Sequence, residues 1–337
     1  MARLPQLLLA VSVLAAAVLL SHSTAAAAPA GRCVVIDTDV DIDDVMSIPM
    51  VVGSRHVAAV VTTEGFTLPG PGASAISRLL AEPGQRIIPV VVGAGPGRSA
   101  AEVAAAFGDF VPVFRDLMSR LNNFFPTALP PAAPSGDFVQ QILDAVDGCR
   151  QVDVLVIGPL TSFVGYSPAI RSKIGKVVVQ GRSPTDEPEA VESLAVESFN
   201  CGFDRPACET AFQQQLSDLH ASFVDVPHTD CDLTPNKAGC VGTVYGPTLA
   251  MAKALGPVGL PYTLKQIMLN HPQSWAIDTW ERSGYGGRSL FWDQSAALAL
   301  IDPALFRPVG GHLETVLSPA DFQRKWVELT NLSATYA

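Results

Sequence analysis

The sequence has no surplus of positive charge. Its 22 Lys and Arg stand against 32 Asp and Glu, a formal net charge of −10 and a pI near 5.0. That balance argues against a nucleic-acid backbone as partner. After residue 20 it has no apolar run long enough for a membrane span, and the positive mean hydropathy of +0.29 is inflated by the first residues. It has no C-x-x-C pair, so its six cysteines do not read as a zinc site. No Ser/Gly-rich linker, charge block or repeat divides residues 31–337, which are expected to form a single domain. The run Gly93-Ala94-Gly95-Pro96-Gly97 lacks a following Gly-Lys-Ser/Thr. It is therefore expected to be a flexible turn near a pocket mouth rather than a phosphate loop.

What is present begins with an export signal. Arg3 supplies the positive start, Leu7 to Leu20 the apolar core, and Ala25 to Ala30 small residues suited to a signal peptidase. Residues 1–30 are expected to be removed, leaving a secreted or periplasmic protein with no stable membrane anchor. In an oxidising compartment the even count of cysteines suggests disulfides. Cys33–Cys149, Cys201–Cys208 and Cys231–Cys240 form one plausible set among the fifteen pairings that six cysteines allow. His228, Asp230 and Asp232 around Cys231 read as a polar loop rather than a metal cluster.

The most informative stretch is Cys33 to Asp44. A short β-branched run, Cys33 to Ile36, reads as a buried strand and stops in five aspartates within eight residues: Asp37, Asp39, Asp41, Asp43 and Asp44. Neighbouring carboxylates repel by about 1 kcal/mol per pair at 4 Å in bulk water, and several-fold more near a protein surface. A hard divalent cation offsets such repulsion and prefers carboxylate oxygens. The spacing therefore predicts a Ca²⁺ or Mg²⁺ site at the carboxyl end of the first strand. An EF-hand loop is excluded, since Ile42 stands where its Gly is needed and Ile48 where its Glu is needed. A haloacid-dehalogenase-type phosphatase leaves Asp41 and the Asp43-Asp44 pair unexplained. A solvated acidic turn capping a helix at Asp43 accounts for one or two aspartates only.

Asp-x-Asp-x-x-x-Asp-Asp at 37–44 resembles the opening motif of the nucleoside hydrolases, the inosine-uridine-preferring type and its relatives. Three further segments carry the resemblance. Gly158-Pro159-Leu160-Thr161 resembles a turn whose preceding residue, here Ile157, offers its carbonyl to a calcium ion. Glu197-Ser198-Phe199-Asn200 with Asp204-Arg205-Pro206-Ala207 resembles a sugar-binding segment. Phe291-Trp292-Asp293-Gln294 resembles the motif that supplies the last calcium ligand. Four departures stand out. Asp41 replaces a glycine, and Asp is one of the few residues that would tolerate a positive φ there. Phe66 replaces a sugar-binding asparagine, and Ser198 occupies the place of the segment's glutamate. Trp292 replaces a histidine proposed as proton donor.

Along the chain, helices are expected over 44–52, with a kink at Pro49, and over 70–80, 137–146 and 295–301. Strands are expected over 56–63, 87–92, 152–157 and 177–180. Phe107, Phe110, Phe114, Phe124 and Phe125 read as core. Alternating strands and helices predict an α/β fold, a mainly parallel Rossmann-like sheet with helices on both faces and its site at the carboxyl ends of the strands.

The resemblance implies calcium-dependent hydrolysis of the N-glycosidic bond of a small ribonucleoside, in purine or pyrimidine salvage. Asp39, Asp44, the Ile157 carbonyl and Asp293 would be metal ligands, with Asp39 doubling as general base. Asp43, Asn200 and Glu197 would contact the sugar. Trp292 would stack on the base, and Trp280, Tyr285 and Arg288 could fold over it. Asp37 is expected to support the loop, and Asp41 is left without a role. A secreted calcium-dependent nucleoside- or sugar-binding protein without turnover is the alternative, and a phosphatase the more distant one. Homo-oligomerisation is left open.

Overall fold

The computed structural model describes residues 31–108, 112, 115, 136–182, 199–227, 245–270 and 289–336. Eight strands form one sheet: β1 (Arg32–Thr38), β2 (Val57–Thr62), β3 (Val90–Val92), β4 (Gln151–Val156), β5 (Ile174–Gln180), β6 (Ala221–Val224), β7 (Phe306–Val309) and β8 (His312–Thr315). Their order is β3-β2-β1-β4-β5-β6-β8-β7, and every pairing is parallel except β7–β8. The expected α/β architecture is therefore present. The antiparallel edge was not anticipated; it turns on Gly310 at φ 58°, a conformation glycine adopts freely.

The helices among the described residues are α1 (Ile42–Ser54), α2 (Pro69–Leu79), α3 (Ala100–Phe107), α4 (Phe138–Ala145), α5 (Thr161–Ile170), α6 (Phe199–Phe203), α7 (Arg205–Thr210), α8 (Leu249–Ala254), α9 (Gly259–Asn270), α10 (Trp292–Ile301) and α11 (Pro319–Leu332). They cover both faces of the sheet. Side chains alternate along a strand, and β1 shows it directly. Val34 and Ile36 enter a core with α1, α10 and α11, while Cys33 and Val35 enter a second core with α4 and α5. Because both faces are buried, β1 is apolar throughout from Cys33 to Ile36.

Most boundaries lie within a few residues of expectation. β3 is shorter than expected, because Pro89 has no N–H to donate and Ile87 is 89% exposed. Helix α1 runs on past Pro49 to Ser54, and α10 starts at Trp292 rather than Ser295. Phe107 closes α3 half-buried in a small aromatic cluster; Phe110, Phe114, Phe124 and Phe125 lie outside the described residues. Disulfides Cys33–Cys149 and Cys201–Cys208 are both formed, the first joining the start of β1 to the approach to β4. Cys231 and Cys240, with His228, Asp230 and Asp232, lie outside the described residues. No described helix is long and apolar enough to cross a membrane.

Candidate active site

β1 lies between β2 and β4, so its carboxyl end opens at the middle of the sheet, where a doubly wound fold gathers its ligands. The chain leaves it through Asp39 and Val40 and enters α1. Val40 is fully buried at φ 60°, a conformation that is strained for a β-branched residue. The positive φ thus falls on Val40, while Asp41 is extended at φ −78°. A glycine-like backbone is not what position 41 requires.

Asp41 has a role that sequence reasoning left blank. It is the N-cap of α1, its carboxylate accepting from Ile42 N–H at 2.5 Å, and it forms a capping box with Asp44. In return Asp41 N–H donates to Asp44 Oδ2 at 2.9 Å. The other oxygen, Asp44 Oδ1, takes the Thr38 hydroxyl in a very short hydrogen bond. The cap is Asp41 and not Asp43, whose carboxylate faces the N–H groups of its own turn and of Asp293. An Asp three residues before another Asp just ahead of a buried helix was the signal available in the sequence.

Asp43 and Asp44 occupy the first turn of α1, and Asp293 the first turn of α10. Asp43, Asp44 and Asp293 are buried, with one carboxylate oxygen of each within 4.8 Å of the others. Asp39 is also buried; one oxygen, Oδ2, accepts Phe66 N–H at 2.8 Å. Two helix N-termini meet here, and their dipoles favour negative charge. Gln294, beside Asp293, donates to the Asp43 carbonyl at 3.3 Å and holds α10 against α1.

Two glycines allow the surrounding loops to close on Asp39. A Cβ on Gly65 would lie 2.0 Å from Asp39 Oδ2, and one on Gly158 2.7 Å from the Asp39 nitrogen. Gly158 begins the Gly-Pro-Leu-Thr turn, and Thr161 of that turn donates to Asp204 at 2.7 Å, the residue that caps α7. Asn200 in α6 donates to the Ile157 carbonyl at 3.2 Å and to Gln180 Oε1 at 2.9 Å. The structure thus brings Asp39, Asp43, Asp44, Ile157, Asn200 and Asp293 to one end of the sheet. Trp292 is half-buried at the start of α10, packed in part on the core. Glu197, Ser198, Trp280, Tyr285 and Arg288 lie outside the described residues.

Asp37 stands behind the site. Its Oδ1 lies 2.5 Å from the Thr63 hydroxyl, which is itself 2.5 Å from Ser162 Oγ; among the described residues its Oδ2 has no hydrogen-bond partner in good geometry, though the Tyr166 hydroxyl lies close enough to lower its pKa. Burial pushes its pKa up to about 8. Burial likewise pushes Asp43 up to about 7, with the Asp39 charge adding to it, and Asp39 up to about 6 against the lowering effect of Phe66 N–H. Asp44 and Asp293 are held well above the carboxylate range, first by burial and then by each neighbouring carboxylate.

So many carboxylates in one dry place need positive charge. Among the described residues no Lys, Arg or His forms an ion pair with Asp39, Asp43, Asp44 or Asp293. The donor set is wholly oxygen, and it fits a hard divalent cation better than a metal that favours nitrogen or sulfur.

A model of the family described as inosine-uridine preferring nucleoside hydrolase matches residues 34–332. No curated protein matches the chain. Among solved structures, the chain is similar to a plant nucleoside hydrolase (TM-score 0.58, 18% identity, covering 90% of this chain and 99% of that one). It is also similar to a purine-preferring ribonucleoside hydrolase from Gardnerella vaginalis (0.54, 17%, 89% and 99%) and an inosine-uridine preferring nucleoside hydrolase from Bacillus anthracis (0.53, 14%, 89% and 99%).

Proposed function

The chain belongs to the inosine-uridine preferring nucleoside hydrolase family, and from that premise we propose that it is an exported, calcium-dependent hydrolase of ribonucleosides. Nucleoside N-glycosidic hydrolysis is the chemistry of the family. Calcium, the ribose sugar and export are the finer parts of the proposal. The observation that carries it is the buried group Asp43, Asp44 and Asp293, with Asp39 buried beside it, gathered from opposite ends of the chain with no ion pair to any of the four among the described residues.

Asp39, Asp44, Asp293 and the Ile157 carbonyl would hold the ion. Asp43 has a carboxylate oxygen within 4.8 Å of those of Asp44 and Asp293, beside the place where the sugar would lie. When bound, the cation supplies Lewis acidity to a water and anchors vicinal hydroxyls. The protein residues do the rest. Asp39 accepts the proton of the attacking water as general base. Asp43 and Asn200, with Glu197, hold sugar hydroxyls, and those contacts strengthen as positive charge develops at the anomeric carbon. Asn200 is already oriented by Gln180. Trp292 offers an aromatic face and no exchangeable proton suited to a leaving base, so departure of the base rests on stacking, with its proton supplied by solvent or by another acid of the site. The two disulfides agree with an oxidising compartment, in line with the signal read at residues 1–30.

The test is to incubate the purified mature protein with inosine, uridine and adenosine, with chelator and after calcium is restored. Release of free base and ribose only when calcium is present is the expected result. Tight nucleoside binding with no release in either condition sinks the hydrolytic reading, and phosphate release from phosphoesters would replace it.

A further inference from the structure

Beside Asp39 lies a buried ion pair that no motif of the site includes. Glu64 is 3% exposed and Arg115 9%. Arg115 Nη1 lies 3.5 Å from Glu64 Oε1, while the same carboxylate accepts the N–H groups of Gly97 at 2.7 Å and Arg98 at 3.1 Å. Glu64 therefore ties the glycine-rich turn and Arg115 to the end of β2. The guanidinium of Arg115 also packs on the face of Phe203, 5.5 Å from the ring centroid.

Its other nitrogen matters more. Arg115 Nη2 donates to the Gly65 carbonyl at 2.6 Å, and Phe66 N–H donates to Asp39 Oδ2 at 2.8 Å. The Gly65 carbonyl and the Phe66 N–H belong to one peptide group. In a trans peptide the C=O and N–H bonds point in opposite directions, and their dipoles add. The peptide is thus clamped between a guanidinium on one side and the Asp39 carboxylate on the other, and each hydrogen bond polarises the next. Gly65 has no side chain, which is what lets the peptide approach Asp39 this closely.

We propose that Arg115, held by Glu64, is a positioning residue for Asp39: by fixing the Gly65–Phe66 peptide it sets the rotation of the Asp39 carboxylate. This rests on the reading of Asp39 as general base. Without Arg115 the peptide can rotate and the carboxylate turns with it. A catalytic group displaced by about 1 Å loses roughly 10²-fold in rate. The loss should appear in kcat, since the hydrogen-bonded link from Arg115 to Asp39 runs through the peptide, its charge acting on Asp39 only at a distance.

The experiment compares wild type, Asp39→Asn, Arg115→Ala, Arg115→Gln and Glu64→Gln in calcium, measuring kcat, KM and melting temperature with inosine or whichever nucleoside wild type hydrolyses fastest. The expected result is a fall in kcat of roughly 10- to 100-fold for Arg115→Ala, with KM little changed. Millimolar methylguanidinium should restore part of that activity in Arg115→Ala but none in Asp39→Asn. Arg115→Gln, which keeps an N–H donor for Gly65, should lie between Ala and wild type. Unchanged kcat in Arg115→Ala, or a rise confined to KM, overturns the proposal. So does a loss that follows melting temperature across the variants without methylguanidinium rescue. If Asp39→Asn keeps full activity, the base assignment fails and this proposal with it. Arg115 failing while Asp39→Asn is inactive overturns the positioning role alone.

Discussion

The central strands of the sheet carry charged groups at both ends, and the two ends handle them in opposite ways. At the amino end, Asp153 of β4 is 2% exposed, with Arg32 of β1 at 3.7 Å. Burial raises its pKa, while Arg32, Lys176 and Arg55 act to lower it. Lys176 and Arg55 in turn cap carbonyls at the end of α10, on Leu300 and Ile301. That end is balanced, as a structural site must be when a charge leaves water. At the carboxyl end, Asp37, Asp39, Asp43, Asp44 and Asp293 are buried together, and among the described residues only the remote charge of Arg115 helps Asp39. Balance there is left to something that binds. The difference separates an acidic residue that stabilises the fold from acidic residues that the fold tolerates for function.

Removing a carboxylate should therefore have opposite consequences at the two ends. The largest effect is expected for Asp39→Asn and Asp44→Asn, which should lower kcat/KM by roughly 10²- to 10⁴-fold without lowering the melting temperature of the metal-free protein. Losing a like charge relieves repulsion there. Steady-state kinetics and calorimetry in chelator check the two halves of that expectation, and a strongly destabilised but active Asp44→Asn protein would erase the contrast.

A pH series sharpens the comparison further. Asp37, Asp43 and Asp39 are raised to about 8, 7 and 6, so the folded state favours their protonated forms. Their contribution to stability is complete below the ordinary carboxylate range, near about pH 4, and is lost as pH rises through about 6 to 8. The metal-free protein should melt progressively lower across that window. Calcium at a fixed concentration should add about 2.7 kcal/mol where that concentration is a hundredfold over its Kd, and the gain should grow with pH because binding releases protons and Kd falls. Melting curves in chelator and in calcium between about pH 4.5 and 8 test it; a chelator curve that is flat with pH counts against the acidic cluster as the cause.

The smallest effect is expected at the balanced end. Asp153→Asn should change stability by no more than about 1 kcal/mol, since Arg32 is largely exposed and its attraction is screened. Its activity and calcium requirement should match wild type. Urea unfolding with parallel kinetics measures both, and a shifted calcium requirement would show that the two ends are coupled.

Much of this was legible in the residues. The apolar run of β1 ending in aspartates announced both a doubly buried strand and an ion site, because strand burial and carboxylate repulsion act over a few neighbouring residues. The Asp137 cap of α4 and the strand before Gly158 were readable for the same local reason. Asp41 was left without a role because its spacing set it among the other acids, whereas its carboxylate accepts the next residue's N–H as a helix cap. The β7–β8 hairpin escaped notice because two short half-exposed strands carry little periodicity. Glu64 and Arg115 were invisible as a unit, since 50 positions separate Arg115 from the Gly65 carbonyl it holds.

By itself, then, the sequence determined the parallel α/β plan, the opening acid motif and the family to which it belongs, all of them consequences of short-range pattern. Only the tertiary structure decided which acids meet. α10 packs its first turn onto that of α1, so Asp293 joins Asp43 and Asp44. The strain at Val40 and the Arg115 clamp on the Gly65–Phe66 peptide likewise follow from long-range packing. Burial turns repulsion between distant residues into a demand for a cation, and burial is a property of the folded chain alone.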